Sequence, residues 1–289
     1  MNHPIVAALL AILPLYAYGL FLLVGATYFY RTTWKFSFTE ELTERDNAAF
    51  GASFTGYLIG VGIALTGAFP SPHAPLQDAL ITMTYSGILA IVLMRVSVWI
   101  NDAFVLSRFN GLVEIIRDRN IGVGIAVAGS SIGTGLVLAG IMTGESETDL
   151  SAITDILIYW AVGQALFILG AHLFFRVAGY DVQGTLEKNN NTATGISLGG
   201  FLIALGVLIW SASRNASGEL FSELGITVVL ALFGGALLLL SRIITEKLIL
   251  LRIDFSKEIS IDENKAAGLV SASCSIVTAL MLAAAIASR

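Results

Sequence analysis

The chain has 289 residues, 56% of them hydrophobic and only 13% charged, with a net charge of -5 and a mean hydropathy of +0.81. An average soluble domain carries roughly 25% charged residues, so this composition excludes a water-soluble globule and sends the surplus apolar surface to lipid. No cluster of Lys and Arg forms a nucleic-acid footprint, and the lone Cys274 permits neither an internal disulfide nor a cysteine-rich metal site.

The first apolar run covers about 5–30. No Lys or Arg precedes it and it is long enough to span, so it reads as a retained helix rather than a cleaved leader. Further runs follow at 48–69, 79–104, 121–142, 151–175, 192–213, 222–246 and 265–287. A helix rising about 1.5 Å per residue crosses a core of about 30 Å in roughly 20 residues. Backbone in lipid must satisfy its own hydrogen bonds. The sequence therefore predicts an all-α membrane protein of eight transmembrane helices.

The connections alternate in character. Those at 31–47, 105–120, 176–191 and 247–264 are charged, whereas 70–78, 143–150 and 214–221 are short and carry almost no base. Fourteen of the 16 basic residues group with the first set, and only Arg214 and Arg289 fall on the other side. The positive-inside rule then places the charged loops in the cytoplasm and both termini outside. The acidic segment Glu145, Glu147, Asp149 falls outside as well. Segments 36–46 and 251–264 mix apolar and charged residues and read as interfacial pieces lying at headgroup level.

Each charged loop ends in an Asn with a Gly four residues on: Asn47 and Gly51, Asn120 and Gly124, Asn191 and Gly195, Asn264 and Gly268. The Asn separations are 73, 71 and 73. Nine residues after each Asn stands Gly56, Gly129, Gly200 or Ser273, and fifteen after stands Gly62, Gly135, Gly206 or Ala279. Four copies in phase point to four parallel two-helix repeats of about 72 residues, pseudo-two-fold or pseudo-four-fold about the membrane normal. The closer match between halves divides the chain at 1–145 and 146–289.

Each repeated group has a plain reading and a functional one. The small residues four and fifteen after the Asn share a helix face and suit close packing; the other reading is a narrow path. The four Asn side chains suit helix N-caps; the other reading is a polar ring at the cytoplasmic mouth of a pathway. Arg95 and Arg242 lie deepest among the arginines, as anchors or as partners of Asp102 and Glu246. The fifth span carries Asp155, Tyr159, Gln164 and His172, intramembrane polar groups that suggest a proton relay but recur in no other copy. No catalytic constellation, metal cluster or cofactor motif is present, so no enzyme, cofactor or metal is expected.

The segments DNAAFGASFTGYLIG, DRNIGVGIAVAGSSIG, NNTATGISLGGFLIALG and DENKAAGLVSAS resemble those of the YjfL-like bacterial inner-membrane proteins, a family grouped as a domain of unknown function. The resemblance implies two fused family units and an inner-membrane location, and brings no activity. Departures are Asn190 or Arg119 where an acidic or glycine residue precedes the Asn, and Ser273 and Ala279 for glycine in the last copy. The expected function is a channel or transporter for an ion or small polar solute. The alternative is a membrane scaffold recruiting cytoplasmic partners. Expected partners are the lipid bilayer, a further copy or a cytoplasmic protein, and not nucleic acid.

Overall fold

The computed structural model describes residues 4–34, 36–69, 74–142, 150–214, 220–248 and 254–288. The expectation for the acidic segment 145–149 lies outside those residues, as does the start of 251–264. Among the described residues the regular structure is helical. Eight helices are long and apolar enough to cross a membrane: α1 (Pro4–Thr32), α2 (Ala48–Gly67), α3 (Leu76–Phe104), α5 (Ile121–Met142), α6 (Leu150–Val177), α8 (Thr192–Ser213), α9 (Leu220–Leu248) and α11 (Lys265–Ala287). Pro14 lies inside α1 and lacks the N–H that would close the preceding turn.

The basic loops are more ordered than the sequence suggests. A π-helical turn (Glu40–Glu44) lies within 36–46. Short helices α4 (Gly111–Ile116), α7 (Val182–Asn189) and α10 (Phe255–Ser260) stand in the other three loops. The loops 105–120 and 176–191 show no helical periodicity in the sequence. Their helices start because Asn110 and Asp181 cap them, accepting from the backbone N–H of Val113 and Gly184.

The core is a spine of four helices. α2 packs on α5, α5 on α8 and α8 on α11, while no comparable packing joins α11 to α2. The helices form a row, not the closed four-fold ring that a pseudo-four-fold repeat would give. The reason lies in where the small residues fall. Gly124 of α5 rests on Ala49 of α2, and Gly135 on Gly60. Gly129 faces the other way, onto Gly199 of α8. At about 100° per residue, these two faces of one helix stand about 140° apart, whereas a square ring needs about 90°. Burial follows the row: 83% of the α8 span is buried, 67% of α5, 50% of α2 and only 28% of α11. Helices α1, α3, α6 and α9 flank the spine. Of the four helices that open at a repeated Asn, α2, α5 and α8 turn inward, but α11 is as open as α9.

Candidate functional site around Arg95

At the basic-loop end of the first half, α1, α2, α3, α4 and α5 enclose a cavity of about 50 Å³. Such a space holds a few waters or one small solute of about four heavy atoms. Its walls include Tyr30, Trp34 and Trp99, and its polar lining includes Ser53, Asn101 and Ser130. Arg95 and Trp99 stand four residues apart, so one face of α3 presents both. Tyr30 and Trp34 do the same where α1 ends.

Arg95 is 2% exposed. Its guanidinium carbon lies 4.5 Å from the ring centre of Trp34, 5.0 Å from Trp99 and 5.4 Å from Tyr30. These ring faces attract a cation. Nε donates to Thr33 Oγ1 at 2.7 Å. Nη1 and Nη2 have no hydrogen-bond partner, and the buried Trp34 Nε1, Asn101 Oδ1 and Ser130 Oγ have none either. Native interiors leave only a few such groups unmet per about 100 residues, so their gathering at one place is the informative feature. Trp34, Asn101 and Ser130 line the cavity, Arg95 stacks on its Tyr30, Trp34 and Trp99 walls, and among the unmet groups of these four residues the donors outnumber the acceptors. The arrangement suits a small anion or a solute bearing a carboxylate-like group, facing the indole N–H of Trp34 with the guanidinium charge close behind the ring wall.

Polar groups continue away from the cavity. Asn101 Nδ2 donates to Thr134 Oγ1 at 3.0 Å, and Trp160 Nε1 of α6 donates to Ser97 Oγ at 2.9 Å. One turn beyond Trp160 is Gln164, near the middle of α6. It is 3% exposed and neither end of its amide has a partner.

The pairing of Arg95 with Asp102 suggested by their spacing does not form. Asp102 turns to the start of α4 and takes a backbone hydrogen bond from Gly111, and no ion pair joins it to Arg95 among the described residues. Arg242 is buried, with its guanidinium carbon 4.3 Å from the Phe174 ring centre. The side chain of Glu246 lies outside the described residues. Asp155 is half-buried. His172 is exposed, with Nδ1 2.9 Å from the Ile168 carbonyl oxygen and its ring beside Phe175. The structure brings neither of these two into the Arg95 cluster.

The four repeated Asn residues each cap a spine helix. Their Oδ1 atoms accept from the backbone N–H of Phe50, Val123, Thr194 and Ala267. Three of the Nδ2 groups then reach outward. Asn47 donates to the Ile115 carbonyl at 2.9 Å, Asn120 to Leu186 at 2.7 Å and Asn191 to Ile259 at 2.8 Å. Those three amides are thus engaged by the following basic loop rather than gathered on a shared axis, and Asn264 bonds within its own loop. Three of the four also meet a glutamate six residues upstream: Asn47 with Glu41, Asn120 with Glu114 and Asn264 with Glu258, at 2.8–2.9 Å. Those glutamates recur at a fixed spacing in the sequence and could have been found there. The residue before each Asn holds a left-handed backbone: Asp46, Arg119, Asn190 and Glu263, with φ between 47° and 52°.

Among the repeated small residues, a methyl added at Gly56 would meet the backbone of Ala128, at Gly195 that of Gly122, at Gly206 that of Gly133 and at Gly268 that of Ala193. Gly200 is likewise closed by Ala272. Gly51 and Gly62 have nothing within reach of such a methyl, and Ser273 is exposed.

The two halves share geometry as well as sequence. The ring pair Tyr30–Tyr57, with centres 4.2 Å apart, returns 144 residues later as Phe174–Phe201 at 4.4 Å. The cavity chemistry does not return. At the same offset Trp34 becomes Ala178 and Ser130 becomes Cys274.

A family model described as Domain of Unknown Function (DUF350) matches residues 4–142 and again 148–286. No curated protein and no solved structure matches the chain.

Proposed function

This chain belongs to the DUF350 family as two fused units, and from that premise we propose that it is a membrane protein that binds a small anion in the cavity beside Arg95 and passes it across the bilayer. The observation that carries the reading is the convergence of unpartnered buried groups there: Arg95 Nη1 and Nη2, Trp34 Nε1, Asn101 Oδ1 and Ser130 Oγ. A buried ionisable group inside a membrane is costly and marks solute paths more often than structure. The polar contacts running to Ser97, Trp160 and Gln164 supply the direction of passage. In this reading the protein lies in a bacterial inner membrane with its basic loops in the cytoplasm, as the excess of Arg and Lys in those loops favours. Four hairpins entering in one sense build the spine, and the cavity opens from the cytoplasmic end.

The test uses purified full-length protein in lipid nanodiscs, titrated with nitrate and with acetate while tryptophan fluorescence is followed. Trp34 and Trp99 line the cavity and report its occupancy. A saturable response that Arg95→Met abolishes is expected, together with nitrate uptake by proteoliposomes that the same variant loses. A response unchanged by the substitution would remove the cavity from the mechanism. A second reading, a membrane scaffold, is favoured by the ends of the spine, which carry the same surfaces as its internal joints.

A further inference from the structure

Three joints hold the spine together, and they are built alike. In each, the small residues four and fifteen after one Asn rest on the residues two and thirteen after the preceding Asn: Gly124 and Gly135 on Ala49 and Gly60, then Gly195 and Gly206 on Gly122 and Gly133. At the third joint Gly268 rests on Ala193, and the fully buried Ala204 and Ala279 hold the other two places. In each, the residue nine after an Asn meets the residue eight after the next one: Gly56 with Ala128, Gly129 with Gly199, Gly200 with Ala272. Across each joint, an Asn amide donates to a carbonyl of the following basic loop.

Every one of these places is vacant at the two ends of the row. On α2, Gly51 and Gly62 face open space and Thr55 is exposed. On α11, Ala266, Ser273 and Val277 are exposed. Asn264 is the one repeated Asn that is exposed, and its amide bonds within its own loop. The carbonyl it would need in the pattern belongs to Leu42. That residue is 38% exposed, whereas its counterparts Ile115, Leu186 and Ile259 are 6%, 0% and 0%.

We propose that α11 of one copy docks on α2 of a second copy, so that the internal joint is repeated between chains. Gly51 and Gly62 of one chain would sit on Ala266 and Val277 of the other, Thr55 beside Ser273, and Asn264 Nδ2 on the Leu42 carbonyl. The steric match holds at Gly51 and Gly62, while Ser273 and Thr55 meet where each internal joint has at least one glycine, so the two helices must stand wider apart at that level. The corresponding places of the third joint are Ala204 and Ala279, both fully buried, and the new one sets Val277, bulkier, against Gly62, which has no side chain. Apolar faces gain little from meeting each other in lipid, but close backbone approach through small residues drives helices together there. The contact is heterologous, head to tail, because the two surfaces differ. It does not depend on what the Arg95 cavity binds.

The test is oxidative cross-linking of the full chain in native membranes, in a Cys274→Ser background that removes the lone thiol. Thr55→Cys combined with Ser273→Cys is expected to give disulfide-linked dimers or longer ladders, while either single substitution gives none. Adding Gly62→Trp should abolish the product. A Cβ at that site meets nothing within its own chain, so the monomer should still fold, which its thermal unfolding in detergent would show. Absence of cross-links in the double variant overturns the proposal. So does efficient linkage by Thr55→Cys alone, which would mean a like-with-like contact.

Discussion

Arg95 Nε donates to Thr33 Oγ1 at 2.7 Å, and this neutral hydroxyl is the one acceptor the guanidinium has for its five N–H groups among the described residues. A buried cation met this sparsely adds little to stability, because its desolvation cost is not offset by a carboxylate. Replacing it by a side chain of similar length and no charge therefore costs the fold little. Arg95→Met should leave the melting temperature in detergent unchanged or raised while the anion response disappears. Arg95→Lys keeps the charge but loses the planar fork and its stacking on Trp34 and Trp99. Its anion affinity should fall about tenfold, read from the same titration. Loss of folding in Arg95→Met would mean that the cation is structural.

The caps predict unequal costs for one substitution. Asn191 is fully buried and serves both Thr194 N–H and the Ile259 carbonyl. Asn191→Ala should destabilise by about 2–3 kcal/mol, from a lost cap of about 1 kcal/mol and a buried carbonyl left unmet. Asn264 is exposed, so Asn264→Ala in the single chain should cost only the cap, about 1 kcal/mol. Unfolding titrations in mixed detergent and SDS micelles would separate the two. Equal losses would show that the reach to Ile259 adds nothing.

The same glycine change should carry opposite signs along the spine. At Gly129 an added methyl meets the backbone of Gly199, and at Gly206 that of Gly133. Overpacking of this kind costs about 1–3 kcal/mol. At Gly51 and Gly62 the methyl meets nothing, and Gly to Ala within a helix gains about 0.5–1 kcal/mol. Melting temperatures of Gly129→Ala and Gly62→Ala, both measured as monomers in detergent, should move in opposite directions.

Before each spine helix the backbone turns left-handed, at Arg119 with φ 52° and Glu263 with φ 50° among others. For an L side chain this conformation costs roughly 1–2 kcal/mol. Arg119→Gly should thus be neutral or slightly stabilising, and Arg119→Val clearly destabilising, in the same unfolding titration. A neutral Val would mean that the turn relaxes.

Much of the spine could be read from the chain alone. Eight apolar runs of spanning length mark the helices, and the plainer of the two readings of each repeated Asn, an N-cap accepting from orphan N–H groups, is the one its Oδ1 fulfils. The helices α4 and α7 escaped because six or eight residues show no useful periodicity; their capping residues Asn110 and Asp181 were the available signal. The row was also written in the sequence, since Gly124 and Gly135 share one face and Gly129 sits about 140° away. Repetition alone suggested a ring, and only the angle between the faces decides against it. The cavity was hardest to see. Trp34, Asn101 and Ser130 are scattered and lack counterparts in the second half, so recurrence, the strongest signal in this sequence, points away from them. What joins them is tertiary: one arginine of α3 inserted among rings supplied by α1 and α3.

The angle between the two small faces also sets the curvature of the spine. Interior angles of about 140° describe a polygon of about nine sides, so the four helices of one chain trace an arc of less than half a turn. A single chain cannot close a wall around a lumen with these helices. Any conduit confined to one chain must run beside the arc, between spine and flank, where the Arg95 cavity already lies.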